Sequence, residues 1–228
     1  MPDSLQFDGI DCSYGYDGDD APLSPFLSPK TFGVEAGGIC LLRGGNGSGK
    51  SSFLGALLGR VPIVRGRVRL VSHDVIVHDA PARDIVARIA RCVYVPQRAS
   101  QMFAPRMACE TLVQLWADHG GTYRDPQKRW DLLDRLGVSE FVYQARWRHT
   151  DRLSGGEAQL LALGLAALRD ASLILLDEPT ASVSQMGRPK VANMIRTISS
   201  MEGRSRFILI ASHDEAVSAL ATRKVDFP

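Results

Sequence analysis

Residues 44–51 read Gly44-Gly45-Asn46-Gly47-Ser48-Gly49-Lys50-Ser51 and match the phosphate-loop pattern G-x-x-x-x-G-K-[ST] at every fixed position. The apolar run at 39–42 predicts a strand before this loop, and residues 51–58 predict a helix after it. Glycines let the backbone wrap around a phosphate chain, and the helix presents its positive end to the same anion. The stretch therefore predicts a phosphate site in which Lys50 reaches the β- and γ-phosphates and the Ser51 hydroxyl binds magnesium.

The composition is that of an ordinary globular protein. The 228 residues are 45% hydrophobic and 23% charged, with a formal net charge of +2, which fits one α/β domain. A charge this small creates no basic field for nucleic acid. No apolar run has the length of a membrane-spanning helix, and the N-terminus lacks the pattern of a signal peptide. The four cysteines are scattered without a C-x-x-C pair, which predicts reduced thiols in a cytoplasmic protein.

Three further apolar runs, each typical of a buried strand, are followed by polar side chains. In an open parallel sheet the carboxyl ends of the strands form one crevice, and ligands bind there. Adjacent carboxylates at such a place are unfavourable unless they serve a cation or a reaction. We therefore predict that the phosphate loop shares its crevice with the side chains after these three strands, which are Gln97, Asp177, Glu178 and His213.

A second glycine motif, Leu153-Ser154-Gly155-Gly156-Glu157, opens a predicted apolar helix that ends near residue 168. Ser154 is a favourable N-cap, and the two glycines allow a ligand to approach bare backbone at the start of the helix. By itself this pattern predicts only a capped helix.

Tyrosines precede the phosphate loop in an acidic, turn-rich segment at 14–20. Tyr16 is the first candidate, and Tyr14 the second, for stacking on the purine of a nucleotide. Packing of either ring against the sheet is an equal alternative.

Apolar residues recur at helical spacing between residues 110 and 142. Gly120-Gly121 separates two such segments, and Gly137 is a predicted C-cap. We predict a helical subdomain, approximately residues 104–168, inserted into the sheet domain, and we interpret its apolar stripes as core.

Taken in order, these motifs resemble the ATP-binding-cassette (ABC) ATPase family along essentially the whole chain. The resemblance implies a single domain at 1–228 with a P-loop α/β fold. Its core would be a mostly parallel sheet, accompanied by an N-terminal antiparallel β subdomain and the inserted α-helical subdomain. It also implies an ATPase that binds ATP and Mg²⁺.

The resemblance implies roles for individual residues. Gln97 would contact magnesium and the attacking water, Asp177 would hold magnesium, Glu178 would be the general base, and His213 and Lys50 would contact phosphate. The other nucleotide contacts would be Tyr16, Gly44, Asn46, Gly47, Ser48, Gly49, Ser51 and Ser52. A second set would close over ATP bound to a second cassette subunit, and its members are Ser154, Gly155, Gly156 and Glu157.

A narrower resemblance lies at 95–105, which is similar to importer ATPases of the energy-coupling-factor type. It rests on the run Gln101-Met102-Phe103-Ala104 and implies contact with an integral membrane subunit. The chain would then be a peripheral protein on the cytoplasmic face of the membrane. It would power uptake of a vitamin or a transition-metal ion, without a nucleic-acid partner.

The chain departs from the family pattern at two places. Ser184 stands where the family usually has an aspartate, and Leu160-Leu161 follows Gln159 where arginine is usual. Three functions stay open at this point: a transporter motor, a soluble cassette of the iron–sulfur assembly type acting on a protein complex, and a weakly active regulatory cassette in a heterodimer. Whether the second cassette is identical to this chain also stays open.

Overall fold

The computed structural model describes residues 4–12, 30–58, 60, 63–72, 75–81, 92–201 and 206–227. Tyr14 and Tyr16, the two predicted purine-stacking residues, lie outside these described residues. In the described part of the chain, no helix combines the length and the apolar character needed to cross a membrane.

Strands predominate as far as Val95, and helices fill most of the chain between Val95 and Leu173. The strands are β1 (Ser4–Cys12), β2 (Lys30–Glu35), β3 (Ile39–Arg43), β4 (Ile63–Ser72), β5 (Val75–Pro81), β6 (Cys92–Val95), β7 (Leu173–Asp177), β8 (Phe207–Ala211) and β9 (Arg223–Asp226). The helices are α1 (Lys50–Leu57), α2 (Cys109–Gly120), α3 (Pro126–Arg135), α4 (Ser139–Ala145), α5 (Gly155–Leu168), α6 (Arg188–Ser199) and α7 (Glu215–Ser218). Short 3₁₀ turns occupy Ala99–Met102, Thr150–Arg152 and Gln185–Gly187.

Two sheets organise these elements. A five-stranded sheet has the order β6-β7-β8-β3-β9, and all of its pairings are parallel. A four-stranded antiparallel sheet has the order β2-β1-β4-β5. The predicted α/β fold class, with a parallel core and an N-terminal antiparallel sheet, is thereby confirmed.

Strand β9 adds an edge that the hydrophobic pattern does not predict. Its sequence Arg223-Lys224-Val225-Asp226 is charged at three of four positions, and it pairs with β3. An edge strand tolerates such residues because only one side of it is covered by a neighbouring strand.

The central sheet is buried on both faces. Ile39 and Leu41 of β3 belong to a large apolar cluster with α5 and α6, whereas Cys40 and Leu42 belong to a second cluster with α1. Every residue of β7 and β8 is buried. Continuous burial of this kind is typical of parallel strands covered by helices on both sides. The residues that follow them include Glu178, which is half-buried, and His213, which is exposed.

Helices α2 to α4 occupy the chain between β6 and β7, followed by α5. Asp125 caps α3 by accepting from the backbone N–H groups of Gln127 and Lys128, and Pro126 fills the first helical turn. Arg206 forms an ion pair with Asp170, in which Nη2 lies 2.7 Å from Oδ1. The Arg206 side chain is only 1% exposed. Thr122, in the α2–α3 connection, also donates to Asp170 at 2.8 Å. This buried pair ties the helical segment to the start of β8.

Candidate functional site

The carboxyl ends of β3, β6, β7 and β8 lead into one cleft of about 470 Å³. The phosphate loop contributes most of its wall, and residues after the other three strands contribute the rest. The lining residues are Asn46, Gly47, Ser48, Gly49, Lys50, Ser51, Ser52, Gln97, Glu178, Ala181 and His213. The structure therefore brings together predicted site residues that lie up to 167 positions apart in the chain, counted from Asn46 to His213.

The phosphate loop has the open backbone that a phosphate chain needs. Gly47 and Gly49 have φ angles of 80° and 89°, a conformation that favours glycine. A Cβ added at Gly47 would meet no atom within 4 Å, so its surroundings are open. Helix α1 begins at Lys50, and no side chain caps it. Its first N–H groups are suited to an anion.

The Lys50 side chain lies inside the loop and is 6% exposed. Its Nζ donates to the carbonyl oxygens of Gly44 and Gly45 at 2.7 and 2.8 Å, and to Ser48 Oγ at 3.4 Å. All three acceptors are neutral, so a phosphate oxygen would be a stronger partner for the ammonium group.

Side-chain oxygen atoms of the kind that coordinate Mg²⁺ lie beside the phosphate loop. The hydroxyl of Ser51 donates to Asp177 Oδ1 at 2.9 Å, and Gln97 lines the same cleft. Mg²⁺ in phosphate sites is held by one or two carboxylates together with phosphate oxygens and waters. Hydroxyl, carboxylate and amide oxygens of this kind fit Mg²⁺ bound jointly with a nucleotide. Within the described ranges, no cluster of three His, Cys, Asp or Glu side chains forms a cage for a metal.

Glu178 has a strained backbone at the edge of the cleft. Its φ angle is 45°, which costs a non-glycine residue of order 1–3 kcal/mol. The conformation is held by a hydrogen bond from its N–H to the carbonyl of Ala211 at 2.8 Å. His213 contacts the Glu178 side chain through both its backbone and its ring. Strain of this kind occurs where the chain must aim a side chain, and here it directs a carboxylate at the cleft.

Tyr94, a residue that the sequence interpretation missed, contacts the predicted magnesium ligand. Its hydroxyl donates to Asp177 Oδ2 at 3.1 Å, and the guanidinium of Arg60 lies 5.0 Å from the ring centroid. Burial, followed by the Asp177 charge, raises the pKa of Tyr94 to about 12, so the phenol stays protonated at neutral pH. The sequence offered one indication that Tyr94 lies near the site, which is its position on β6, three residues before Gln97.

The second glycine motif starts α5 with a reciprocal cap. The Ser154 hydroxyl accepts from the N–H of Glu157 at 3.3 Å, and Glu157 Oε2 accepts from the N–H of Ser154 at 2.8 Å. Arg148 forms a two-pronged pair with the same carboxylate at 2.7 and 3.1 Å. The hydrogen bond from Arg148, followed by that from the Ser154 backbone, lowers the pKa of Glu157 to about 2. The sequence interpretation missed Arg148, because its partner is set by the turn between α4 and α5.

The motif does not line the phosphate cleft of its own chain. A Cβ added at Gly155 would lie 3.2 Å from Ser182 Cβ, so the motif adjoins the segment that follows Glu178. A Cβ added at Gly156 would lie 3.6 Å from the carbonyl oxygen of Ser182. Four of the predicted nucleotide contacts thus sit apart from the phosphate loop: Ser154, Gly155, Gly156 and Glu157.

A second cavity, which we call the α2 groove, has a volume of about 640 Å³. Apolar side chains of α2 and of the segment after Gln97 form one side of it, and β6 forms another. Cationic or ionisable side chains also line it. The residues that line it include Arg60, Tyr94, Met102, Leu115, Trp116 and Arg169.

Comparison with known proteins connects this geometry to a family. The family model described as ABC transporter matches residues 27–181. The phosphonates import ATP-binding protein PhnC 2 of Nostoc sp. is 28% identical over 199 residues, covering 86% of this chain and 78% of the relative. The hemin import ATP-binding protein HmuV of Streptomyces coelicolor is 32% identical over 208 residues, covering 88% and 68%.

Two further proteins are similar in sequence or fold. The zinc import ATP-binding protein ZnuC of Cereibacter sphaeroides is 32% identical over 199 residues, covering 87% of this chain and 71% of the relative. The solved structure of cbiO1 from Clostridium perfringens, part of the ABC transporter complex cbiONQ, superposes with a TM-score of 0.73 at 21% identity. That superposition covers 97% of this chain and 83% of cbiO1. It shows that the two chains share a fold.

Proposed function

This chain belongs to the ABC transporter family and is an ATPase, and from that premise we propose that it powers a membrane importer by binding and hydrolysing ATP. We propose further that residues 1–228 act as one ATPase domain, with an inserted helical subdomain at approximately 104–168. The observation that carries the proposal is the single cleft in which the phosphate loop meets Gln97, Glu178 and His213.

In this proposal the phosphate loop binds the triphosphate, and Lys50 exchanges its neutral loop acceptors for phosphate oxygens. Ser51 and Asp177, with Gln97 beside them, hold Mg²⁺. The ion, when bound, neutralises negative charge on the phosphates. The 2.9 Å contact between Ser51 and Asp177 supports this assignment, because it already places a hydroxyl and a carboxylate together.

Glu178 accepts the proton of the attacking water, and His213 orients Glu178 and contacts the terminal phosphate. A carboxylate at the rim of the cleft, aimed by a strained backbone, is suited to general-base work. Phosphoryl transfer depends on positioning and on charge neutralisation rather than on covalent chemistry, and the cleft supplies groups for both.

The Ser154–Glu157 motif completes the site of a second cassette. Its separation from the phosphate loop of its own chain supports this arrangement, in which two subunits pair head to tail with ATP between them. Such a site closes only when the dimer closes, so hydrolysis is coupled to a large motion.

The α2 groove is the proposed contact with the integral membrane subunit. Its mixed lining, apolar around Leu115 and Trp116 and cationic at Arg60 and Arg169, suits an amphipathic helix with an acidic side chain. The chain would then lie on the cytoplasmic face of the membrane. The run Gln101–Ala104, three of whose residues line this groove, and relatives named for zinc and hemin import support a vitamin or a transition-metal ion as the cargo.

The experiment is an affinity capture of the full chain from detergent-solubilised membranes of its host, with the co-purified proteins identified by mass spectrometry. We expect a polytopic membrane protein and a cassette subunit. Leu115→Glu should release the membrane protein, because Leu115 lines the groove and is 41% exposed. Tyr143→Glu, at a 55% exposed site outside the residues that line the groove, is the matched control and should retain it.

Capture of soluble partners alone would overturn the transporter role and favour a cassette of the iron–sulfur assembly type. A chain that binds ATP but turns it over only in the presence of a second, different cassette would instead identify it as the weaker member of a heterodimer.

A further inference from the structure

One tyrosine lies between the α2 groove and the predicted magnesium site. Tyr94 is half-buried on β6 and lines the groove, while its hydroxyl reaches the carboxylate of Asp177. The distance from Tyr94 Oη to Asp177 Oδ2 is 3.1 Å. A single side chain therefore spans from a surface cavity to the carboxylate that contacts Ser51, a residue of the phosphate cleft.

The carboxylate of Asp177 is held from two sides. Ser51 Oγ donates to Oδ1 at 2.9 Å, and the Tyr94 hydroxyl donates to Oδ2. Asp177 is 5% exposed, so water contributes little to its orientation. Groups that hydrogen-bond to a metal ligand fix its direction and typically change metal affinity 10- to 100-fold when removed.

The other end of the tyrosine is held by a surface cation. The guanidinium carbon of Arg60 lies 5.0 Å from the Tyr94 ring centroid, and both side chains line the groove. Arg60 is exposed, and its backbone N–H is anchored to the Gly55 carbonyl at 2.9 Å. A cation over an aromatic face attracts the ring, which favours this placement of Tyr94.

We infer that Tyr94 is a positioning residue that couples the α2 groove to the magnesium site: Arg60 restrains its ring at the groove, and its hydroxyl orients Asp177 toward the ion. The inference rests on the proposed function, since it takes Asp177 as the magnesium ligand. Arg60 is the exposed end of this coupling, and Asp177 is its buried end.

The test is a double-mutant cycle on the full chain with Tyr94→Phe, Arg60→Ala and the double variant. Binding of Mn²⁺ in the presence of a non-hydrolysable ATP analogue is followed by electron paramagnetic resonance. Affinity for a fluorescent ATP analogue in EDTA is measured separately. The matched control is Tyr143→Phe, the same chemical change at an exposed tyrosine of α4.

Tyr94→Phe should weaken Mn²⁺ binding about tenfold, because the orienting donor is lost while the ring remains. Nucleotide affinity in EDTA should stay within about twofold, as it does not depend on Asp177 orientation. Arg60→Ala should weaken Mn²⁺ binding about two- to fivefold, the equivalent of one exposed cation–π contact. The Arg60→Ala effect should disappear in the Tyr94→Phe background.

Unchanged Mn²⁺ affinity in Tyr94→Phe would overturn the inference, and so would an Arg60→Ala effect of equal size in both backgrounds. An equal loss of Mn²⁺ affinity in Tyr143→Phe would also overturn it, because the effect would then not be specific to Asp177. Failure of the unmodified chain to bind nucleotide both in Mg²⁺ and in EDTA would instead remove the proposed function together with this inference.

Discussion

The Nε2 atom of His213 lies 3.6 Å from Oε1 of Glu178, and the backbone N–H of His213 donates to Oε2 of the same carboxylate at 3.4 Å. The two residues follow neighbouring strands, β8 and β7, so the register of the parallel sheet brings them together. His213 thereby contacts both oxygens of the proposed base. Changes at this pair should affect the chemical step more than nucleotide binding.

Replacing Glu178 with Gln should lower ATP hydrolysis at least about 100-fold, because an amide cannot accept the proton of the attacking water. Affinity for ATP should change little, since the phosphate loop is intact. Phosphate release and nucleotide binding measured on the same preparation separate the two effects, and an ATP-trapped dimer should appear on size exclusion. Glu140→Gln, at an exposed position of α4, is the matched control. Normal turnover in Glu178→Gln would exclude it as the base.

Replacing Lys50 with Ala should weaken ATP binding about 10- to 100-fold, the value of losing charge-assisted hydrogen bonds to phosphate. Among the described residues that line the cleft, Lys50 is the one lysine or arginine, so no other such side chain of this lining can replace it. Titration with a fluorescent ATP analogue measures the loss. Lys128→Ala removes an exposed lysine of α3 and should leave affinity unchanged. Equal affinity in both variants would contradict the phosphate-loop assignment.

Replacing Asp170 with Asn should lower the free energy of unfolding by about 3 kcal/mol, because it leaves the buried Arg206 charge without its carboxylate. Asparagine tolerates the positive φ angle of 54° at this position, so backbone strain does not add to the loss. Urea unfolding monitored by circular dichroism measures the difference.

The matched control for that stability experiment is Asp226→Asn, which breaks the pair with Arg43. Side chains there are 74% and 49% exposed, and the loss should stay below about 1 kcal/mol. Similar losses of unfolding free energy in Asp170→Asn and Asp226→Asn would mean that the buried pair stabilises the fold no more than the exposed pair does.

The Arg148–Glu157 pair should contribute pH-dependent stability. The pKa of Glu157 in the folded chain is about 2, below its ordinary value of 4.5. A depressed pKa stabilises the fold above about pH 4.5, and this contribution falls away as pH drops toward 2. The difference in unfolding free energy between the unmodified chain and Glu157→Gln should therefore shrink from pH 6 to pH 3.

Arg148→Gln should remove most of the same pH-dependent component, because the hydrogen bond from Arg148 is the largest cause of the shift. Both variants are followed by urea unfolding at each pH. A stability difference that is constant between pH 6 and pH 3 would show that the Glu157 carboxylate is not stabilised by this pair.

Local patterns predicted much of the fold and of the cleft. Residues 39–58 carry a strand, a glycine loop and a helix in one continuous stretch, so this motif could be recognised from neighbouring residues alone. Buried parallel strands read as unbroken apolar runs, which is why β7 and β8 were recognisable. Strand β9 was missed because its residues are mostly charged and its pairing with β3 is supplied by the sheet.

Two specific pairings between distant residues were beyond the sequence interpretation. Tyr94 meets Asp177 across 83 positions of the chain, and Arg206 meets Asp170 across 36. No sequence motif marks either pairing. A tyrosine on a half-buried strand, or an arginine just before a buried strand, is compatible with many partners.

By itself the sequence determined the phosphate loop, the apolar runs that become β3, β7 and β8, and the polar residues that end them, because these depend on local spacing and periodicity. Only the tertiary structure decided which pairwise contacts these and other side chains make. Strand order and register place Glu178 beside His213, and they place Tyr94 between the α2 groove and Asp177. The physical reason is that a contact between distant residues requires the packing of whole elements, and no short stretch of chain contains that information.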